Sequence, residues 1–127
     1  MMLREGITGQ GETVVTRENT AKTVGSGELD VFATPAMIAM MEETAYKSVA
    51  GELDAGMGSV GTLMNVKHVS ATPLGRKVTC QTELREVDGR RLVFHVEAKD
   101  EAGLIGEGVH ERFIVENEKF QKKADSK

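Results

Sequence analysis

The sequence predicts an α+β fold, an antiparallel sheet with one long helix packed on a face, and three observations carry that expectation. A dense Ala and Met run, AMIAMMEETAYKSVAGEL, follows Thr34-Pro35. Beyond it the apolar residues recur with a period of two, in successive stretches separated by short turns. One of those turns holds Asp88-Gly89, a strong hairpin signal because both residues tolerate the positive φ of a tight I′ turn.

Met1 to Gly27 is a Gly- and Thr-rich opening with one expected strand, Glu12 to Arg17, followed by a polar loop ending in Gly25-Ser26-Gly27. Such a loop suits a surface segment, whether bordering a site or simply solvated. Thr34 is a preferred N-cap, since its hydroxyl can accept from an unpaired backbone N–H. Pro35 suits the first helical position, where a missing N–H costs nothing. Ala and Met propagate the helix, and Gly51 and Gly56 are its stop signals. The run is apolar nearly all round through Met41, as a helix wrapped by a sheet requires.

In the next strand Val60, Thr62, Met64, Val66 and His68 share the more apolar face. Ala71 to Gly75 forms a turn, and Lys77 to Val87 a strand with Val78, Cys80, Thr82 and Leu84 on one side. Arg91 to Lys99 pairs back antiparallel, and Leu104 to Val115 is the last long strand. Glu116 to Lys127 is charged, with little apolar surface to bury after Phe120, so a frayed tail is expected.

At 127 residues the chain has the length of one domain, so residues 1–127 are read as a single unit with a charged tail after about 120. A net charge of −4, scattered Lys and Arg, no Trp and one Tyr argue against nucleic acid, which calls for a basic face with stacking aromatics. No stretch reaches the roughly 20 apolar residues of a membrane span, and MMLREGITGQGETVV lacks the apolar core of a secretory signal. A soluble, cytoplasmic protein is expected. The one cysteine, Cys80, has neither a disulfide partner in the chain nor the companions of a zinc site.

Three polar residues stand where packing alone asks for apolar ones. Glu43 has Lys47 four residues on, an exposed helical pair, whereas Glu42 lies in the stripe of Ile38, Ala45 and Val49. Glu42 is therefore either a carboxylate lining a cleft, suited to proton transfer, or a rim residue paired with a cation such as Arg112. His68 is either a core histidine satisfied by one hydrogen bond or a second inward group for chemistry. Thr34 is explained as a cap, yet its hydroxyl can also orient a reacting group. Thr34 and Glu42 are eight positions apart, roughly 12 Å along a helix, so they cooperate only if a substrate, a side chain or a second subunit bridges them. His95 alternates out of phase with the core, and His110 and Arg112 read as an ordinary surface strand. No HxH or HExxH spacing appears, and Gly56-Met57-Gly58-Ser59-Val60-Gly61 lacks the GK[ST] of a phosphate loop and follows its helix. No metal site is expected.

From about Val14 to Phe120 the chain resembles the hotdog-fold acyl-CoA thioesterases, within them the fluoroacetyl-CoA thioesterase-like branch. The resemblance is carried in order by VFATPAMIAMMEETA, SVGTLMNVKHVSATPLG and LREVDGRRLVFHVEAKDEAGLIGEGVHERFIV. It implies a sheet of about five antiparallel strands wrapped around one central helix, and assembly as homodimers or tetramers. It implies Thr34, Glu42 and His68 as catalytic, Gly61 offering its backbone N–H to the thioester carbonyl, and Arg112 supporting the carboxylate. It implies hydrolysis of a small or medium acyl-CoA thioester, coenzyme A entering only as part of the substrate. The alternative is a non-catalytic hotdog module that binds acyl-CoA or another ligand. The aromatic lid of the fluoroacetyl-specific enzyme has no counterpart in Gly25-Ser26-Gly27-Glu28-Leu29-Asp30, so fluoroacetyl selectivity is not expected.

Overall fold

Five antiparallel strands, Thr8–Val14 (β1), Met57–His68 (β2), Lys77–Asp88 (β3), Arg91–Asp100 (β4) and Gly103–Glu116 (β5), form one sheet in the order β1-β3-β4-β5-β2. A short helix, Ala21–Val24 (α1), precedes the long helix Thr34–Ala50 (α2), and Asn117–Asp125 (α3) closes the chain. This is a computed structural model, and it describes residues 3–127; Met1 and Met2, the start of the Gly- and Thr-rich opening, lie outside them.

The helix meets the sheet through a four-residue repeat. Met37, Met41, Ala45 and Val49 are fully buried, because positions i and i+4 stack on one side of a 3.6-residue turn. They pack against the inward residues of β3 and β4, namely Val78, Cys80, Leu84, Leu92, Phe94, Val96 and Ala98. Burial of each large apolar side chain stabilises by about 1.5–3 kcal/mol, so this layer holds helix to sheet. The opposite side of α2 is open: Ala39, Glu43, Tyr46 and Lys47 are exposed, and Glu43 pairs with Lys47 at 3.2 Å. The all-round burial expected through Met41 is thus limited to one side among the described residues.

Several elements differ from the sequence expectation. The first strand is Thr8–Val14, not Glu12 to Arg17; its inward Gly9 and Gly11 face Thr44 and Ser48 without side chains, so it carries no apolar alternation. Ala33, not Thr34, is the N-cap of α2, and Thr34 and Pro35 open the helix itself. Asp88 pairs with Arg91, leaving Gly89-Arg90 as the hairpin loop. Positive φ occurs there only at Gly89, +61°, which fits a II′ turn with Gly first rather than I′. The tail forms α3 instead of fraying, with Phe120 still half-exposed.

Strand β2 carries the feature that matters most for the site. Its pairing with β5 slips between Gly61 and Leu63, so Thr62 is an extra residue. A bulge shifts the period-two alternation by one. Gly61 faces Glu42, His110 and Arg112, while beyond the bulge Met64 and Val66 pack on the core. The expected continuous face from Val60 through Thr62 to His68 is therefore broken at Thr62.

β5 approaches β2 closely at Gly108, where a Cβ would meet the Asn65 carbonyl oxygen and lie 2.6 Å from Val66 Cα. Both are backbone atoms and cannot step aside. Gly108→Ala is expected to destabilise by about 1–3 kcal/mol, outweighing the roughly 0.4–1 kcal/mol that reduced unfolded-state freedom returns. The urea midpoint measures this; an unchanged or raised midpoint contradicts the close approach.

Candidate active site

The structure sorts the candidate residues into two clusters. At the start of α2, Thr34 Oγ1 lies 2.7 Å from His68 Nδ1, so the hydroxyl faces the imidazole instead of capping the helix. His68 Nε2 is buried without a hydrogen-bond partner among the described residues. Buried polar atoms are nearly always satisfied, so this nitrogen, which lines a cleft, is open to a ligand or a water. Loss of solvent pulls the His68 pKa below its ordinary 6.5, opposed by the nearby backbone of Ser70, which forms no hydrogen bond with Nε2. The imidazole is neutral near pH 7. Ser26, Val31, Phe32 and Ala71 join Thr34 and His68 around a cleft of about 270 Å³.

The second cluster gathers where α2 crosses the bulge. Glu42 Oε2 lies 3.7 Å from Arg112 Nη1, with the carboxylate side chain 44 % exposed and the arginine side chain 8 %. The pairing of Glu42 with Arg112 raised from the sequence is present, but the surface strand read for Arg112 and His110 is not: His110 is buried to 1 % and Arg112 to 7 % exposure. Their sheet face looks toward α2, and the glycines at 106 and 108 weaken the apolar signal that would have revealed it. Arg112 Nε donates to Ser59 Oγ at 2.8 Å. Nη2 donates to the Ser59 carbonyl at 2.9 Å, and Nη1 to His110 Nε2 at 3.1 Å. Ser59 is a site residue that sequence gave no signal for.

A guanidinium only donates and a carbonyl only accepts, which fixes the His110 tautomer. Nε2 accepts from Arg112, so Nδ1 carries the proton and donates to the Leu63 carbonyl at 2.9 Å. Desolvation, with Arg112 adding to it, lowers the His110 pKa below 6.5 against the Leu63 bond and Glu42. Burial also lowers the Arg112 pKa, countered by Glu42 and Tyr46, whose ring lies 5.8 Å from the guanidinium carbon. A guanidinium stays charged under such shifts, so Glu42 faces a fixed cation.

Gly61 joins this cluster by close approach, because a Cβ there would lie 2.5 Å from Glu42 Oε2 and 3.5 Å from Arg112 Nη1. A cleft of about 220 Å³ adjoins it, lined by Tyr46, Ala50, Leu53, Met57, Gly58, Ser59 and Asn117. Gly61 and His68 are seven residues apart on β2, roughly 20 Å at strand rise. One chain therefore does not bring Glu42 to the Thr34–His68 pair. His95 points to the outer sheet face, 3.6 Å from Glu107, and Cys80 is a buried thiol whose pKa burial raises.

Residues 15–118 match the family described as fluoroacetyl-CoA-specific thioesterase. The fluoroacetyl-CoA thioesterase of Streptantibioticus cattleyicolor is 45 % identical over 98 residues, 77 % of this chain and 70 % of that protein. A solved structure of the fluoroacetyl-CoA thioesterase FlK superposes with a TM-score of 0.92 at 39 % identity, covering 98 % of this chain and 97 % of the other. Variants of that enzyme are solved with fluoroacetate and CoA, and with acetyl-CoA. A Thermus thermophilus member of the thioesterase superfamily superposes with a TM-score of 0.89 at 30 % identity, over 97 % of this chain and 91 % of the other. No described helix is long and apolar enough to cross a membrane. The chain belongs to the fluoroacetyl-CoA-specific thioesterase family, thioester hydrolases of hotdog fold.

Both depressed histidines link stability to pH. With folded pKa values below 6.5, the unfolded chain takes up protons first as pH falls, so their contribution is full above about 6.5 and lost as pH drops through the folded values. Imidazole C–H signals of His68 and His110 should titrate below 6.5, and the urea midpoint should fall between about pH 7.5 and about pH 5. Titration of either at or above 6.5 contradicts the burial argument.

Proposed function

We propose that this member of the fluoroacetyl-CoA thioesterase family hydrolyses small or medium acyl-CoA thioesters at a site shared between two subunits. The observation that carries the reading is the separation of the candidate groups into Glu42 with Gly61 and Arg112, and Thr34 with His68, on opposite sides of the bulge in β2. β2 is an edge strand of 12 residues, and no described strand pairs with its outer side. An edge that long is a template for pairing with another strand. Antiparallel pairing of β2 with its own copy, centred near Met64 and Asn65, sets His68 of the partner subunit opposite Gly61. Each two-fold dimer then holds two complete sites.

In such a site Glu42 either attacks the thioester carbonyl, expelling the CoA thiolate and leaving an acyl anhydride that water then hydrolyses, or draws a proton from a water that attacks the carbonyl directly. The fixed Arg112 charge stabilises the Glu42 carboxylate, and the Gly61 N–H stabilises the developing oxyanion. His68, neutral at rest, accepts the proton released by the attacking water, directly or by way of Glu42, and delivers it to the departing thiolate, while Thr34 sets the ring's orientation. The segment from Gly25 to Asp30 has no aromatic residue, and its Leu29 is 67 % exposed. Selectivity for the fluoroacetyl group is accordingly absent, and acyl groups from acetyl to medium length are accepted.

An acyl-CoA panel with a thiol-trapping reagent tests the chemistry. Turnover is expected to fall about 100-fold or more in Glu42→Gln and in His68→Ala, and to fall less in Thr34→Ala. Saturable binding that survives Glu42→Gln, with no hydrolysis over hours, would instead identify a non-catalytic acyl-CoA-binding module. Light scattering should give a dimer or a tetramer at micromolar concentration; a monomer that still turns over acyl-CoA rules out the shared site.

A further inference from the structure

His110 makes contacts too specific for packing, and the chemistry above assigns it no part. Its ring is buried beside Phe94, with centroids 6.1 Å apart. An apolar ring would fill that space. Instead the imidazole donates from Nδ1 to Leu63, the residue following the bulge, and accepts at Nε2 from Arg112. Its Cε1 lies 3.3 Å from where a Gly61 Cβ would stand. One side chain thus touches the strand that presents Gly61, the cation facing Glu42, and the space beneath Gly61 itself.

We propose that His110 is a positioning residue of the thioesterase site, a neutral imidazole that clamps the Arg112 guanidinium toward Glu42 and ties it to the bulge at Thr62. Glu42 does not hold Arg112 by itself, because 3.7 Å is an ion pair without a direct hydrogen bond. Ser59 fixes Nε and Nη2, which leaves the Nη1 side to His110. Loss of that acceptor leaves a buried guanidinium N–H unpaired, at a cost that favours rotation of the group away from Glu42. The Leu63 bond matters equally, since it holds the strand in the slipped register that turns Gly61 toward α2. The catalytic consequence rests on the thioesterase reading; the clamp itself does not.

The experiment therefore reads both. His110→Phe keeps a ring against Phe94 and removes both hydrogen bonds; if it does not fold, His110→Asn, able to reach Leu63 but too short for Arg112, takes its place. Hydrogen exchange of the Arg112 guanidinium N–H signals, followed by NMR, should quicken about tenfold or more. With an acyl-CoA substrate, kcat should fall about 10–100-fold, the range for losing a hydrogen bond to a charged group, with KM within about threefold. In an Arg112→Gln background the same substitution should cost less than about twofold, because the residues act as a unit. His110→Gln, which can donate and accept, should recover part of the loss. Unchanged Arg112 exchange, unchanged kcat in the single variant, or equal losses in both backgrounds would overturn the clamp. If the wild-type protein turns over no acyl-CoA, the thioesterase reading fails while the exchange measurement still decides the clamp.

Discussion

A guanidinium buried between sheet and helix is the constraint on which the rest of the site depends. Removing Arg112 from water costs several kcal/mol unless its donors are met, and the surrounding residues meet them one by one. Ser59 supplies two acceptors from β2 and His110 a third from β5 itself. Glu42 supplies the counter-charge from α2. Three elements distant in sequence are thereby held in one place by a single side chain. Each partner is then restricted in turn: Ser59 must precede the bulge, and His110 must be neutral to accept.

The bulge at Thr62 reconciles two demands on β2. Its first half must turn Ser59 and Gly61 toward Arg112 and Glu42, while its second half must turn Met64, Val66 and His68 inward. Strict alternation cannot do both, because the two sets differ in parity. One extra residue solves it, at the expense of one ladder position. The same strand thus carries one end of the Glu42 cluster and one end of the Thr34–His68 pair, and its outer edge is free among the described residues to meet another chain.

Much of the architecture is written in local residue patterns. The Ala and Met run after Thr34-Pro35 specifies where α2 begins, Gly51 but not Gly56 proves to be its stop, and Glu43 with Lys47 separates the solvated carboxylate from Glu42. The alternation of β3 and β4 specifies their buried faces residue by residue. Elements with weak patterns were not legible. β1 has glycines at its inward positions, α1 is a single turn, and α3 has almost no apolar face. His110 and Arg112 looked like surface residues because polar side chains carry no sign of what they will be packed against.

By itself, then, the sequence determined the class of fold, the extent of its main elements, and by family resemblance which residues to examine. Only the tertiary structure decided how those residues group. Thr34 turned from cap to histidine partner because β2 ends beside the start of α2. Arg112 and His110 turned from surface to interior because the bulge brings Gly61 and Ser59 over them. Helical and strand periods are local and survive any arrangement of the elements. Hydrogen-bond partners and burial are properties of contacts between distant segments, and these exist only once the sheet has closed on the helix.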